Sequence, residues 1–151
     1  MPLVPTPHLP ADGSRRGTRP LDAAEQRWTT LQRELVAELC DGVDEHSVGA
    51  VFDQVHTAWA GLCERPDPAP LVDAFGVALG DLLVWHVGSL HWCARRDGDE
   101  LVVSDRAGAY TLAPLSFLAT AWPDAGPGWF TAHVRLLRAD ALAVLARPAQ
   151  A

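Results

Sequence analysis

The chain contains no lysine, no asparagine and no isoleucine, and only one methionine and one tyrosine. Without lysine there is no Schiff-base amine and no phosphate-binding lysine of the P-loop or kinase type. Arginine does not replace it there, because its planar fork carries an effectively permanent charge. Positive charge is scarce: twelve arginines face nineteen acidic residues, a formal net charge of −7. That balance argues against a broad phosphate-binding surface, and hence against nucleic acid as a partner. The Gly-x-Gly-x-x-Gly and Gly-x-Ser-x-Gly patterns are both missing, which removes the anchors of a dinucleotide fold and of a hydrolase elbow. Cysteine is limited to Cys40, Cys63 and Cys93. Their odd number and wide spacing fit neither a disulfide framework nor a zinc ribbon, and suit a reducing compartment.

The chain has 151 residues, of which 48% are hydrophobic, the size and composition of one globular domain. Abundant alanine, arginine, glycine and proline match the codon bias of a high-GC bacterial genome. The opening MPLVPTPHLP has no basic start and no apolar stretch, and polar residues follow Arg15 and Arg16. No signal peptide is expected. No uncharged apolar run reaches the ~18 residues of a membrane span. A cytoplasmic location without membrane contact is therefore the expectation.

Residues 1–20 hold five prolines and the Arg15, Arg16, Arg19 cluster, which predicts a flexible basic tail. Residues 21–151 then form a single domain. A first helix is expected over residues 21–40, with Trp28, Leu31, Leu35 and Leu39 on its buried stripe. Pro20 suits its first turn, and Gly42 the position just past its end. Asp44 can cap a second helix running to about Cys63, with Val48, Val51, Phe52, Val55, Trp59 and Leu62 inward. The short link between the two predicts an antiparallel helical hairpin. Three prolines in residues 64–70 break the chain. A central helix over residues 71–85 is apolar on most sides. Alternation around Trp92 and the turn Asp97-Gly98 open a three-stranded antiparallel meander over residues 90–95, 101–104 and 110–113. A short helix over residues 115–122 and a last helix over residues 129–147 complete an α+β fold. The last helix should bury Phe130, Val134, Leu137, Ala141 and Val144 or Leu145.

The run Leu71-Val72-Asp73-Ala74-Phe75-Gly76-Val77-Ala78-Leu79-Gly80-Asp81, the strand around Trp92, and Leu112-Ala113-Pro114-Leu115 occur in that order. Over residues 66–146 the chain thereby resembles a bacterial domain-of-unknown-function family, number thirty-eight hundred and six. The resemblance implies a helix with a Gly-x-x-x-Gly-Asp pattern, a Trp-bearing strand, a short meander and a Pro-led helix. It implies no activity. Where members of that family often carry a basic residue before tryptophan, this chain has Ala121-Trp122.

Candidate chemistry is sparse. Asp73 and Asp81 stand about 12 Å apart along a helix, too far to share one proton-transfer task. His86, His91 and Cys93 form the only compact set of metal-capable side chains. His91 and Cys93 share a strand face, but no fourth ligand follows, so no metal or cofactor is expected. Cys93 beside His91 is the nearest approach to a nucleophile and base, although such pairs usually come from separate elements. His46 and His56 are read as surface residues. Six tryptophans against one tyrosine are read mainly as core, with a tryptophan-lined groove as the alternative. Gly76 and Gly80 share a helix face that should meet a neighbour closely, at a cost in helix propensity of about 1 kcal/mol each. The leading expectation is a non-enzymatic protein–protein interaction module, accessory or immunity-type. Its candidate contacts are Gly80, Asp81, Trp85, His91, Trp92 and Cys93. The alternative is a small enzyme using His91, Cys93 or Asp81 in a tryptophan-lined cleft.

Overall fold

The computed structural model describes residues 17–148. The chain runs β1 (Thr18–Arg19), α1 (Ala23–Leu39), α2 (Glu45–Ala60), α3 (Ala69–His86), β2 (His91–Arg95), β3 (Leu101–Ser104), β4 (Thr111–Leu112), α4 (Pro114–Ala121), a 3₁₀ turn (Trp122–Asp124) and α5 (Trp129–Leu145). The α+β class is as expected. The sheet, however, has four strands in the order β1-β2-β3-β4, every neighbouring pair antiparallel.

The extra strand comes from the expected tail. Residues 1–16 lie outside the described residues, but Thr18 and Arg19 pair with Arg95 and Ala94. Gly17 and Thr18 carbonyls accept from the backbone and guanidinium of Arg96 at 3.0 and 2.9 Å. Arg19 then grips Glu25 through two hydrogen bonds of 2.7 and 3.1 Å. Proline counting missed this strand because it is two residues long and is held mainly by partners far along the chain.

Helix starts follow local chemistry. Asp22 and Glu25 form a reciprocal capping box at the start of α1, so the helix begins after Pro20 rather than on it. Asp44 caps α2 by accepting from the Ser47 N–H at 3.0 Å, as its position predicts. Pro70 and Pro114 sit in the first turns of α3 and α4, where a missing N–H costs nothing. Before α5, Gly128 adopts φ 81° and its N–H is held by the Asp53 carboxylate at 3.0 Å.

α3 is the hub. By length and composition it is the one helix among the described residues apolar enough to cross a membrane. Here it is covered instead, chiefly by α1, α4 and α5. One core joins Phe52, Phe75, Phe130, Trp122, Leu79 and Leu118; a second joins Leu83, Val87, Leu90, Val103, Tyr110 and Ala141. The phenylalanine and tryptophan rings meet edge-on or tilted at 5.2–5.6 Å. α5 buries Phe130, Val134 and Ala141 and half-buries Leu137, Val144 and Leu145, the face its periodicity predicts.

Two expectations fail. The N-terminal helical hairpin does not close, because α1 packs on α3 while α2 packs on α5. The leucine stripe of α1 does not face inward either. Leu31, Leu35 and Leu39 are 57%, 45% and 48% exposed, while Thr29, Gln32 and Val36 are buried. The buried hydroxyl of Thr29 is satisfied by the Gln26 carbonyl at 2.9 Å, so this face goes inward without an unmade hydrogen bond there. His56 is a third correction. It is buried and stacked on Phe52, and its Nε2 lies 2.7 Å from the Trp122 carbonyl. A carbonyl only accepts, so Nε2 carries the proton.

Candidate functional site

Because the hairpin stays open, a cleft of about 700 Å³ remains between α1, the α1–α2 link, the start of α2, α3 and α5. Its floor is aliphatic: Val36, Val48, Ala78 and Leu82, all buried. Val43 and Trp85, 71% and 83% exposed, stand at its mouth. An exposed tryptophan over an aliphatic floor leaves apolar surface against water, which favours burial by something else.

Charge is fixed on two walls. On one, Arg33 Nε and Nη2 donate to Oδ2 and Oδ1 of Asp81 at 2.8 and 2.9 Å. Trp92 Nε1 donates to the same carboxylate at 2.8 Å. Asp81 therefore ties α1, α3 and β2 together. Its hydrogen bonds hold the Arg33 guanidinium charged, above its ordinary value. On the other wall, Glu45 receives Arg135 Nε at 2.8 Å, with Arg138 at 3.8 Å and the His86 ring at 4.0 Å. Asp44, at the α2 start, is held below the usual carboxylate range by the Ser47 N–H and hydroxyl.

The expected contact residues divide. Asp81 and Trp85 line the cleft, and Trp92 reaches Asp81 from beside it, whereas Gly80 faces away from the cleft, under the Trp92 ring and Pro114. A methyl group on Gly80 would run into the Trp92 ring and lie 3.1 Å from Pro114 Cγ; one on Gly76 would lie 3.0 Å from Leu115 Cα. The close neighbour is thus backbone at Gly76 and an indole at Gly80. His91 and Cys93 are not brought in. Pairing puts Trp92 opposite Val103 and Cys93 opposite Val102, on the other sheet face. His91 is exposed, while Cys93 is 2% exposed and burial pushes its thiol up. Cys40 is likewise buried, with its thiol pushed up, and Cys63 is exposed. Among the described residues, no three His, Cys, Asp or Glu side chains gather to hold a metal. Only Trp122 of the six tryptophans is fully buried.

Sequence spacing missed Arg33, Glu45, Arg135 and Arg138. Arg33 and Asp81 are 48 positions apart, and Glu45 and Arg135 are 90 apart. The one local signal was Glu45 directly after a helix cap, which reads as first-turn charge. Comparison of the chain with family models, curated proteins and solved structures returns no match.

Proposed function

We propose that this chain is a non-enzymatic interaction module of the bacterial cytoplasm, accessory or immunity-type, which takes an apolar side chain of a protein partner into the cleft beside α1. The carrying observation is Trp85, 83% exposed at the mouth of an aliphatic-floored cavity. Tryptophan is enriched among interface hot spots, which become fully buried when the partner binds. The charged walls support binding rather than turnover. Asp81 is engaged by Arg33 and Trp92, and Glu45 by Arg135, so neither is a free base. The enzyme alternative has less behind it, since His91, Cys93 and Asp81 do not converge. With a net charge of −7, nucleic acid and anionic membrane are not the partners proposed. Kinship with the family of number thirty-eight hundred and six belongs to the same proposal and brings no activity with it.

Affinity capture from the native host tests this with two variants. Trp85→Ala removes rim surface at an exposed position, and Ala78→Phe fills the floor. A protein retained by the native chain and lost by both folded variants supports the cleft. Equal retention by all three places the partner elsewhere and overturns this reading.

A further inference from the structure

The leucines of α1 form a second surface, separate from the cleft. At about 100° per residue, Trp28, Leu31, Leu35 and Leu39 fall within about 80° of one another, with a centre about 90° round the helix from that of Thr29, Gln32 and Val36. Arg33, which walls the cleft, lies on the other side of the buried face. The stripe is therefore open to solvent on its own flank, with Trp28 half-buried at one end.

Its sequence is complementary to itself when reversed. If two copies of α1 lie antiparallel about a dyad near position 33, Leu31 of one faces Leu35 of the other, and Trp28 faces Leu39. Arg27 and Glu38 are exposed and flank the stripe on the same, solvent-facing side. In an antiparallel helix pair, like flanks meet, so Arg27 of each copy comes opposite Glu38 of the other. A parallel pair would instead turn this flank toward the side already packed on α3. It would also stack Arg27 level with Arg27 and Glu38 level with Glu38. Glu34 lies on the same flank, about 20° beyond Arg27, and meets Glu34 of the other copy near the dyad, a like-charge contact that weakens the pair.

We infer that α1 is the dimer surface of this protein, pairing antiparallel with α1 of a second copy in a two-fold arrangement. The apolar contacts supply the attraction, and the paired Arg27 and Glu38 set the direction. Stable interfaces bury about 1,200–2,000 Å² in total. One pair of 17-residue helices is a small contact by that measure, so the dimer is weak and concentration-dependent.

Sedimentation equilibrium over a concentration series tests it. The native chain should pass from monomer to dimer in the micromolar range. Leu35→Glu should raise the dissociation constant by at least ~10-fold, a change of about 1.4 kcal/mol. Arg27→Glu and Glu38→Arg should each weaken the dimer, and the double variant Arg27→Glu/Glu38→Arg should restore it. Near-ultraviolet circular dichroism confirms that each variant is folded. A chain that stays monomeric at every concentration overturns the inference, as does a dimer indifferent to Leu35→Glu. Failure of the charge-reversed double variant to recover overturns the antiparallel assignment. Because Trp85→Ala and Ala78→Phe leave α1 intact, they should not change dimerisation, which separates this inference from the cleft.

Discussion

On the side of α3 that carries Phe75 and Leu79, the apolar pattern is closed. Phe52 from α2, Phe130 from α5 and Trp122 after α4 meet there, each no more than 1% exposed. On the side that carries Asp81, α1 is attached by Thr29, Gln32, Val36 and an ion pair, and its leucines face out. The sequences of α1 and α5, on these two sides of α3, both show clear apolar periodicity. The difference teaches that periodicity marks a surface that will be covered, but not whether this chain or another molecule covers it.

The contrast sharpens most at Phe52. Phe52→Ala should cost about 3–5 kcal/mol in urea denaturation, because a cavity opens among packed rings. Leu35→Ala, the same kind of truncation on the open side, should stay within about 0.5 kcal/mol for the monomer. Comparable losses at the two positions would erase the distinction.

Gly80 comes next. Gly80→Ala should destabilise by about 1–3 kcal/mol through overpacking against Trp92. Helix propensity alone predicts the opposite, a gain of up to about 1 kcal/mol. The Trp92 ring cannot simply swing away, because its Nε1 is held by Asp81. Trp92→Leu should therefore relieve most of the Gly80→Ala penalty in the double variant.

Asp81→Asn should cost less, about 0.5–1 kcal/mol, since the Arg33 pair is partly exposed and screened by water. An asparagine oxygen can still accept from Trp92. The loss should shrink in high salt. A larger, salt-independent loss would mean that α1 is held mainly through Asp81 rather than through its buried face.

The smallest effect is acid loosening of the sheet edge. Arg19 and the Asp22 N–H hold Glu25 below its ordinary value, and Arg95 and Ser116 do the same for Glu100. A depressed carboxyl contributes stability above its unfolded value of about 4.5, and that contribution is lost as pH falls through the lower folded value. Amide protection at Arg19 and Arg96, relative to the intrinsic exchange rate at each pH, should therefore fall below about pH 4.5, before the aromatic core responds. In Glu25→Gln, the same loosening at Arg19 should be present already at neutral pH.

Much of the fold was legible because its signals are local. Asp44 capped α2, Gly98 lay in the turn after Asp97, and the faces of α5 and of α2 as far as Trp59 pointed inward as spaced, while Leu62, beyond the end of α2, is exposed. The helical hairpin was not legible, because a short link fixes that two helices are consecutive but not that they pack. β1 was hidden for a related reason: two residues have no periodicity, and their partners lie 75 or more positions away. Of the candidate contacts, Trp85 and Trp92 were found as scattered tryptophans and Asp81 by its place beside the paired glycines, while Gly80 marks the packing of α3 on Trp92 and Pro114 rather than the cleft. His91 and Cys93 were proposed on spacing along one strand, and the strand turned them to the wrong sheet face. Arg33, Glu45 and Arg135 carry no local mark, since charge pairs made across 48 or 90 positions are visible only after folding.

Thiol labelling at neighbouring positions of α1 tests most directly which face of that helix is open. In a Cys63→Ser background, where Cys40 and Cys93 are buried, Leu35→Cys and Val36→Cys each introduce one reporter. In dilute protein, Leu35→Cys should react nearly as fast as in urea, and should slow as concentration rises and copies pair. Val36→Cys should be slower by orders of magnitude throughout. Equal protection at both positions, or faster reaction at Val36→Cys, would contradict the outward leucine face of α1.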